Sequence, residues 1–112
     1  MEKKTLKIML DFIAGPIWGY RYEEDEKKYT CGIPVLDDDE ELISLHEEIQ
    51  DLYSSYYHFD YNDLPCYFDE EQEKKDKGKM LSLFKRLLDR IHKLNDGSFV
   101  VEDLETERIR NL

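Results

Sequence analysis

Apolar residues recur at spacings of three and four in two stretches of the chain. In the first, Leu42, Leu45, Ile49, Leu52 and Tyr56 form one stripe, with Glu40, Glu41, Glu47, Glu48 and Asp51 on the remaining faces. A period of 3.6 predicts an amphipathic helix over about 38–57. Asp37, Asp38 and Asp39 stand at its start, where a carboxylate accepts free backbone N–H groups and meets the positive end of the helix dipole. In the second, Met80, Leu81, Phe84, Leu87, Leu88, Ile91 and Leu94 repeat the pattern, which predicts a helix starting near 70–73 and running over about 72–94. Gly78 weakens its first turns, and Asn95-Asp96-Gly97 supplies a stop.

The ends of the chain lack that period. Thr5-Leu6-Lys7-Ile8-Met9-Leu10 alternates imperfectly and reads as a short strand over 5–10, punctuated by Gly15-Pro16 and continued or paired by Ile17-Trp18-Gly19-Tyr20. Ser98-Phe99-Val100-Val101 is a second strand candidate, and 102–112 a polar tail with one helical turn. Residues 23–28 read as a solvated loop, Gly32 and Pro34 as a turn, and 58–69 as an aromatic-rich turn that Pro65 keeps from being helical. These elements define a mostly helical α+β fold, two packed helices with short flanking strands, in a single domain over 1–112. Trp18, Tyr53 and Tyr56 are expected in the core.

Charge changes this picture. The 112 residues carry 16 basic and 27 acidic side chains, a formal net charge of −11. The charges are also segregated: residues 23–73 hold 18 acids and 2 bases, whereas 74–93 hold 8 bases and 2 acids. Pairing between two antiparallel helices can offset part of this, but an acidic surface survives. A global basic footprint for nucleic acid and an electrostatic anchor to anionic lipid are excluded, so the charged partner expected is a basic one.

No apolar run reaches the length of a membrane span. Lys3, Lys4 and Lys7 ahead of Ile8–Trp18 imitate a signal peptide, but Asp11 interrupts the apolar run and no small-x-small site follows, so the stretch reads as the first structural element. Two isolated cysteines, Cys31 and Cys66, read as reduced thiols, consistent with a cytoplasmic location.

The residues carry little enzymatic chemistry. His46 and His92 fall mid-helix beside the apolar stripes and read as surface or boundary residues. His58, Asp60, Asp63 and Cys66 are the one mixed cluster of ligand types, yet their spacing matches no zinc signature. Asp60-Tyr61-Asn62-Asp63 opens like a calcium loop without the glycine and distal glutamate in register. Phosphate-binding glycine loops, GxSxG and CxxC are absent from the sequence. Neither an enzyme nor a cofactor or metal is expected. More informative is the interleaving of Tyr53, Tyr56, Tyr57, Tyr61 and Tyr67 with Asp60, Asp63, Asp69, Glu70 and Glu71. Tyrosines give contact area at low entropic cost, and carboxylates around them pair with a partner's Lys and Arg. The residues expected to bind a partner are Tyr57, Asp60, Tyr61, Asp63, Asp69 and Glu70, with Glu47, Glu48 and Asp51 as a second patch.

The opening strand ending in Asp11, the Gly15-Pro16-Ile17-Trp18 turn, the acid-capped helix from Asp37 to Tyr57, the basic second helix and the closing Asn95-Asp96-Gly97-Ser98-Phe99 together resemble small cytoplasmic immunity proteins of bacterial polymorphic toxin systems, including contact-dependent inhibition. That resemblance implies a stoichiometric antitoxin. It would bind the C-terminal domain of a cognate toxin, often a basic nuclease, one to one and block its active site or substrate surface. It would contact neither nucleic acid nor membrane. The alternative from another class is an acidic DNA mimic or regulatory adaptor that binds a nucleic-acid-handling host protein, and a third is a metal-dependent protein centred on 58–66.

Overall fold

The structure, a computed structural model, describes residues 3–58 and 67–112. The fold is α+β, and its frame is a pair of parallel strands, β1 (Lys4–Ile8) and β6 (Phe99–Asp103), in register Leu6 to Val101. One face of the pair sends Leu6, Ile8 and Phe99 into the core, while Thr5, Val100 and Glu102 are exposed on the other. The long connection between the two strands carries the helices that cover the buried face.

The first of these is α1 (Glu40–Ser54). Asp39 caps it through a side-chain bond from Leu42 N–H at 2.9 Å, and Leu42, Leu45, Ile49 and Tyr53 are buried along one stripe. The second apolar stripe belongs to α3 (Lys77–Leu94), where Met80, Leu83, Phe84, Leu87 and Ile91 are buried against α1. Burying each such Leu, Ile or Phe contributes about 1.5–3 kcal/mol, so these stripes dominate the favourable side of folding. Arg90, near the end of α3, reaches Asp39 at the start of α1, Nε to Oδ2 at 3.0 Å, which shows the two helices running antiparallel. Among the described basic residues of α3, Arg90 alone makes an ion pair with α1 or its cap.

Two elements differ from the sequence expectation. The expected helix over 72–94 is two: α2 (Glu70–Lys75) precedes α3, with a break at Asp76 (φ −87°, ψ 4°). Asp76 still makes backbone bonds to both helices, its N–H donating to Gln72 O at 3.0 Å and its O accepting Met80 N–H at 2.8 Å, and two side chains bind its carboxylate. Tyr56 O–H donates to its Oδ2 at 2.9 Å and Gln72 Nε2 to its Oδ1 at 3.1 Å. The loop over 23–28 is the turn of a hairpin, β2 (Arg21–Glu23) on β3 (Lys28–Thr30). The helical turn expected in the polar tail is α4 (Thr106–Arg110), where Ile109 is buried against the core and Arg108 reaches two buried carboxylates, Glu73 and Glu105.

The aromatic turn over 58–69 is closed by a two-residue antiparallel ladder, β4 (Tyr57–His58) on β5 (Tyr67–Phe68). Asp60, Tyr61, Asp63 and Cys66 lie outside the described residues, and with them most of the His58-centred ligand cluster. Tyr53 and Tyr56 are core residues as expected, packed edge-on at 6.1 Å. Trp18 is not: it is 40% exposed, because Ile17 and Tyr20 on either side take the buried positions. His46 is buried rather than peripheral, since α1 turns it under the 15–20 segment instead of toward solvent.

Candidate partner-binding face

The loop between β1 and β2 is pinned to α1. Trp18 N–H donates to Lys7 O and Met9 N–H to Pro16 O, both at 2.9 Å, so the chain returns along the edge of β1. On the α1 side, Gln50 Nε2 donates to Gly15 O at 3.0 Å, Ile13 N–H donates to Ser54 Oγ at 3.0 Å, and Ile17 N–H donates to His46 Nδ1 at 3.3 Å. Gly15 is required by this path. Its φ is +75°, and a Cβ there would stand 1.8 Å from Met9 O. Accepting from Ile17 keeps the His46 imidazole neutral at Nδ1, and burial pushes its pKa down to about 4.

This pinning turns apolar side chains outward. Ile13 sits at the tip of the Asp11–Ala14 turn with φ +49°, a conformation that costs a β-branched residue, and its side chain is 69% exposed. Phe12 lies against Tyr57 at 5.0 Å between ring centroids, and Tyr57 in turn packs on Phe68 at 5.0 Å and Tyr53 at 5.8 Å. Trp18 in the same loop and Tyr22 in β2 are exposed as well. Beside the loop opens a cleft of about 390 Å³ whose walls include Ile13, Trp18, Tyr29 and Gln50. Strain that presents a large apolar group to solvent is a feature of binding sites more than of stable surfaces.

Acid borders this apolar surface. Gln50 and Asp51 lie three and four residues after Glu47, and Ser54 lies four and three after them, so Glu47 and Asp51 share the α1 face that holds the 13–15 turn. Both carboxylates are exposed. Burial, reinforced by the nearby Glu47, pushes the Tyr29 phenol above its ordinary pKa. Glu48 is exposed one position away, and Glu70 is exposed in the first turn of α2.

The residues expected to bind a partner therefore divide. Glu47 and Asp51 flank the apolar loop, and Tyr57 supports it through Phe12. Asp69 is committed to the fold: its Oδ1 caps α2 from Gln72 N–H at 3.0 Å and its Oδ2 meets His58 Nε2 at 2.9 Å. That backbone bond, followed by the His58 contact, holds the Asp69 carboxyl below the usual carboxylate range. Sequence reasoning missed Phe12, Ile13, Trp18 and Tyr22. The available signal was the Gly15-Pro16 punctuation, which places Phe12 and Ile13 at a turn where a core position is hard to reach.

Among the described residues, no group of three or more His, Cys, Asp or Glu side chains is arranged to hold a metal ion, and no helix is long and apolar enough to cross a membrane. Comparison with protein-family models, with curated proteins and with solved structures finds no match.

Proposed function

We propose that this chain is an immunity protein that neutralises a cognate toxin domain, a basic nuclease, by covering its active site or substrate surface in the cytoplasm. The observation that carries the reading is the juxtaposition of a solvent-facing apolar loop, Phe12, Ile13 and Trp18, with the exposed carboxylates Glu47 and Asp51, in a chain of net charge −11. A nuclease must offer a positive groove to phosphates. An inhibitor of that groove gains specificity and on-rate from carboxylates, while buried aromatic and aliphatic anchors supply the affinity. Asp60, Tyr61 and Asp63 extend the same acidic-aromatic composition, and Glu48 and Glu70 add charge at its margin. The complex is one toxin domain per chain.

The test is protection in cells. The toxin domain encoded next to this gene is expressed with the chain, with Glu47→Lys/Asp51→Lys, and with Ile13→Asp/Trp18→Ala. Parent chain restores growth and co-purifies with the toxin. Both double variants keep the parent circular dichroism spectrum and lose protection. Losing the anchors slows growth at any salt, whereas the charge reversals lower the association rate most at low ionic strength. Growth arrest that parent chain does not relieve, or full protection by both variants, rejects the proposal.

A further inference from the structure

The two edges of the β1–β6 pair are treated differently. Leu104 N–H donates to Ile8 O at 3.0 Å, which fixes the parallel ladder. Lys4, Leu6 and Ile8 bond across to Val100, Glu102 and Leu104, and the intervening residues of each strand point their N–H and C=O groups away. On β1 those outward groups are used, because Lys7 O accepts Trp18 N–H and Met9 N–H donates to Pro16 O. On β6 the outward residues are Phe99, Val101 and Asp103. Phe99 O accepts Asn95 Nδ2 at 3.2 Å, and Val101 lines a surface concavity of about 530 Å³ together with Lys3, His92 and Asn95. Phe99-Val100-Val101 carries no lysine, proline or bulge of the kind that blunts an exposed edge.

We propose that β6 pairs with β6 of a second copy of this chain, antiparallel about Val101, joining two β1–β6 pairs into one four-stranded sheet. Charge selects both the occupant and the direction. Antiparallel pairing sets Val100 opposite Glu102 and Phe99 opposite Asp103, whereas parallel in-register pairing stacks Glu102 on Glu102. It also carries Glu102 of each copy to the end of the edge where Lys3 of the other stands. A dimer through the 23–73 stretch sets acid against acid. The β6 edge is flanked instead by Lys3 and His92. The arrangement uses no residue of the Phe12–Trp18 loop, so it stands apart from the proposed toxin contact.

Sedimentation velocity of the full chain over a concentration series tests this, with amide exchange read residue by residue. The expected result is a species of twice 13.5 kDa, with the Val101 amide protected alongside Val100 and Glu102. Val101→Pro removes a donor that the β1 ladder does not use, so the variant sediments as a single chain with parent circular dichroism, while the lost packing of the half-buried Val101 side chain lowers its thermal midpoint. Should Val101→Pro not fold, the charge pair decides. Glu102→Lys raises the dimer dissociation constant about tenfold, and adding Lys3→Glu in the same chain restores it. A parent that is monomeric throughout, with fast exchange at Val101, overturns the proposal. So does a dimer whose dissociation constant is unchanged in Val101→Pro and in Glu102→Lys.

Discussion

Acidification from pH 7 to pH 5 is expected to weaken the fold through one side chain, His46. It is 1% exposed, accepts Ile17 N–H at Nδ1, and stands edge-on to Tyr20 at 5.4 Å and Tyr29 at 6.3 Å. Burial lowers its pKa from 6.5 to about 4. In the unfolded chain the imidazole titrates near 6.5, so the unfolded state takes the proton first as pH falls. The stabilising contribution is therefore complete above about pH 6.5 and is lost progressively on the way down to about 4. The two pKa values put that loss at about 2 kcal/mol by pH 5 and about 3 kcal/mol by pH 4. Carboxyls held below their ordinary range, such as Asp39 beside Arg90, act in a lower window, because their contribution is present above about pH 4 and disappears beneath it. Urea unfolding at pH 7, 6 and 5 measures the slope, and His46→Gln is the control, since its amide oxygen can take Ile17 N–H without titrating. The parent loses stability across this range and the variant stays nearly level. Equal slopes in the two proteins would refute the assignment. The segment at stake also presents Trp18, so partner binding should weaken over the same pH range.

Two substitutions to alanine at glycine should have opposite signs in thermal or urea unfolding. Gly15→Ala drives a Cβ into Met9 O at a positive φ and is expected to cost on the order of 3 kcal/mol, whereas Gly78→Ala, in α3 with open space around it, should stabilise by about 0.5–1 kcal/mol. Arg108→Ala removes the cation between Glu73 and Glu105, each 5% exposed, to which it donates at 3.1 and 2.6 Å. The expected loss at pH 7 is about 3 kcal/mol, because two buried carboxylates are left without their cation.

The helical frame is legible from local spacing alone. A stripe at 3.6-residue spacing is a local property, so Leu42 to Tyr56 and Met80 to Leu94 announce their helices without reference to anything else, and Asp39 announces the start of the first. The acidic composition of 23–73 was equally legible, and with it the sign of any charged partner. Strand candidates at 5–10 and 98–101 could be read, but not that they pair in parallel, because that contact joins residues about a whole chain length apart. The same limit applies to the docking of α4, whose Arg108 has a partner 35 residues away. It also explains the partner-binding face. Trp18 and His46 have similar local surroundings to core and boundary residues elsewhere in the chain. Only the docking of the 13–17 turn onto α1, through Gln50, Ser54 and His46, turned the tryptophan to solvent and the histidine inward. Periodicity records which residues can be buried. Which of them are buried depends on what the rest of the chain has left uncovered.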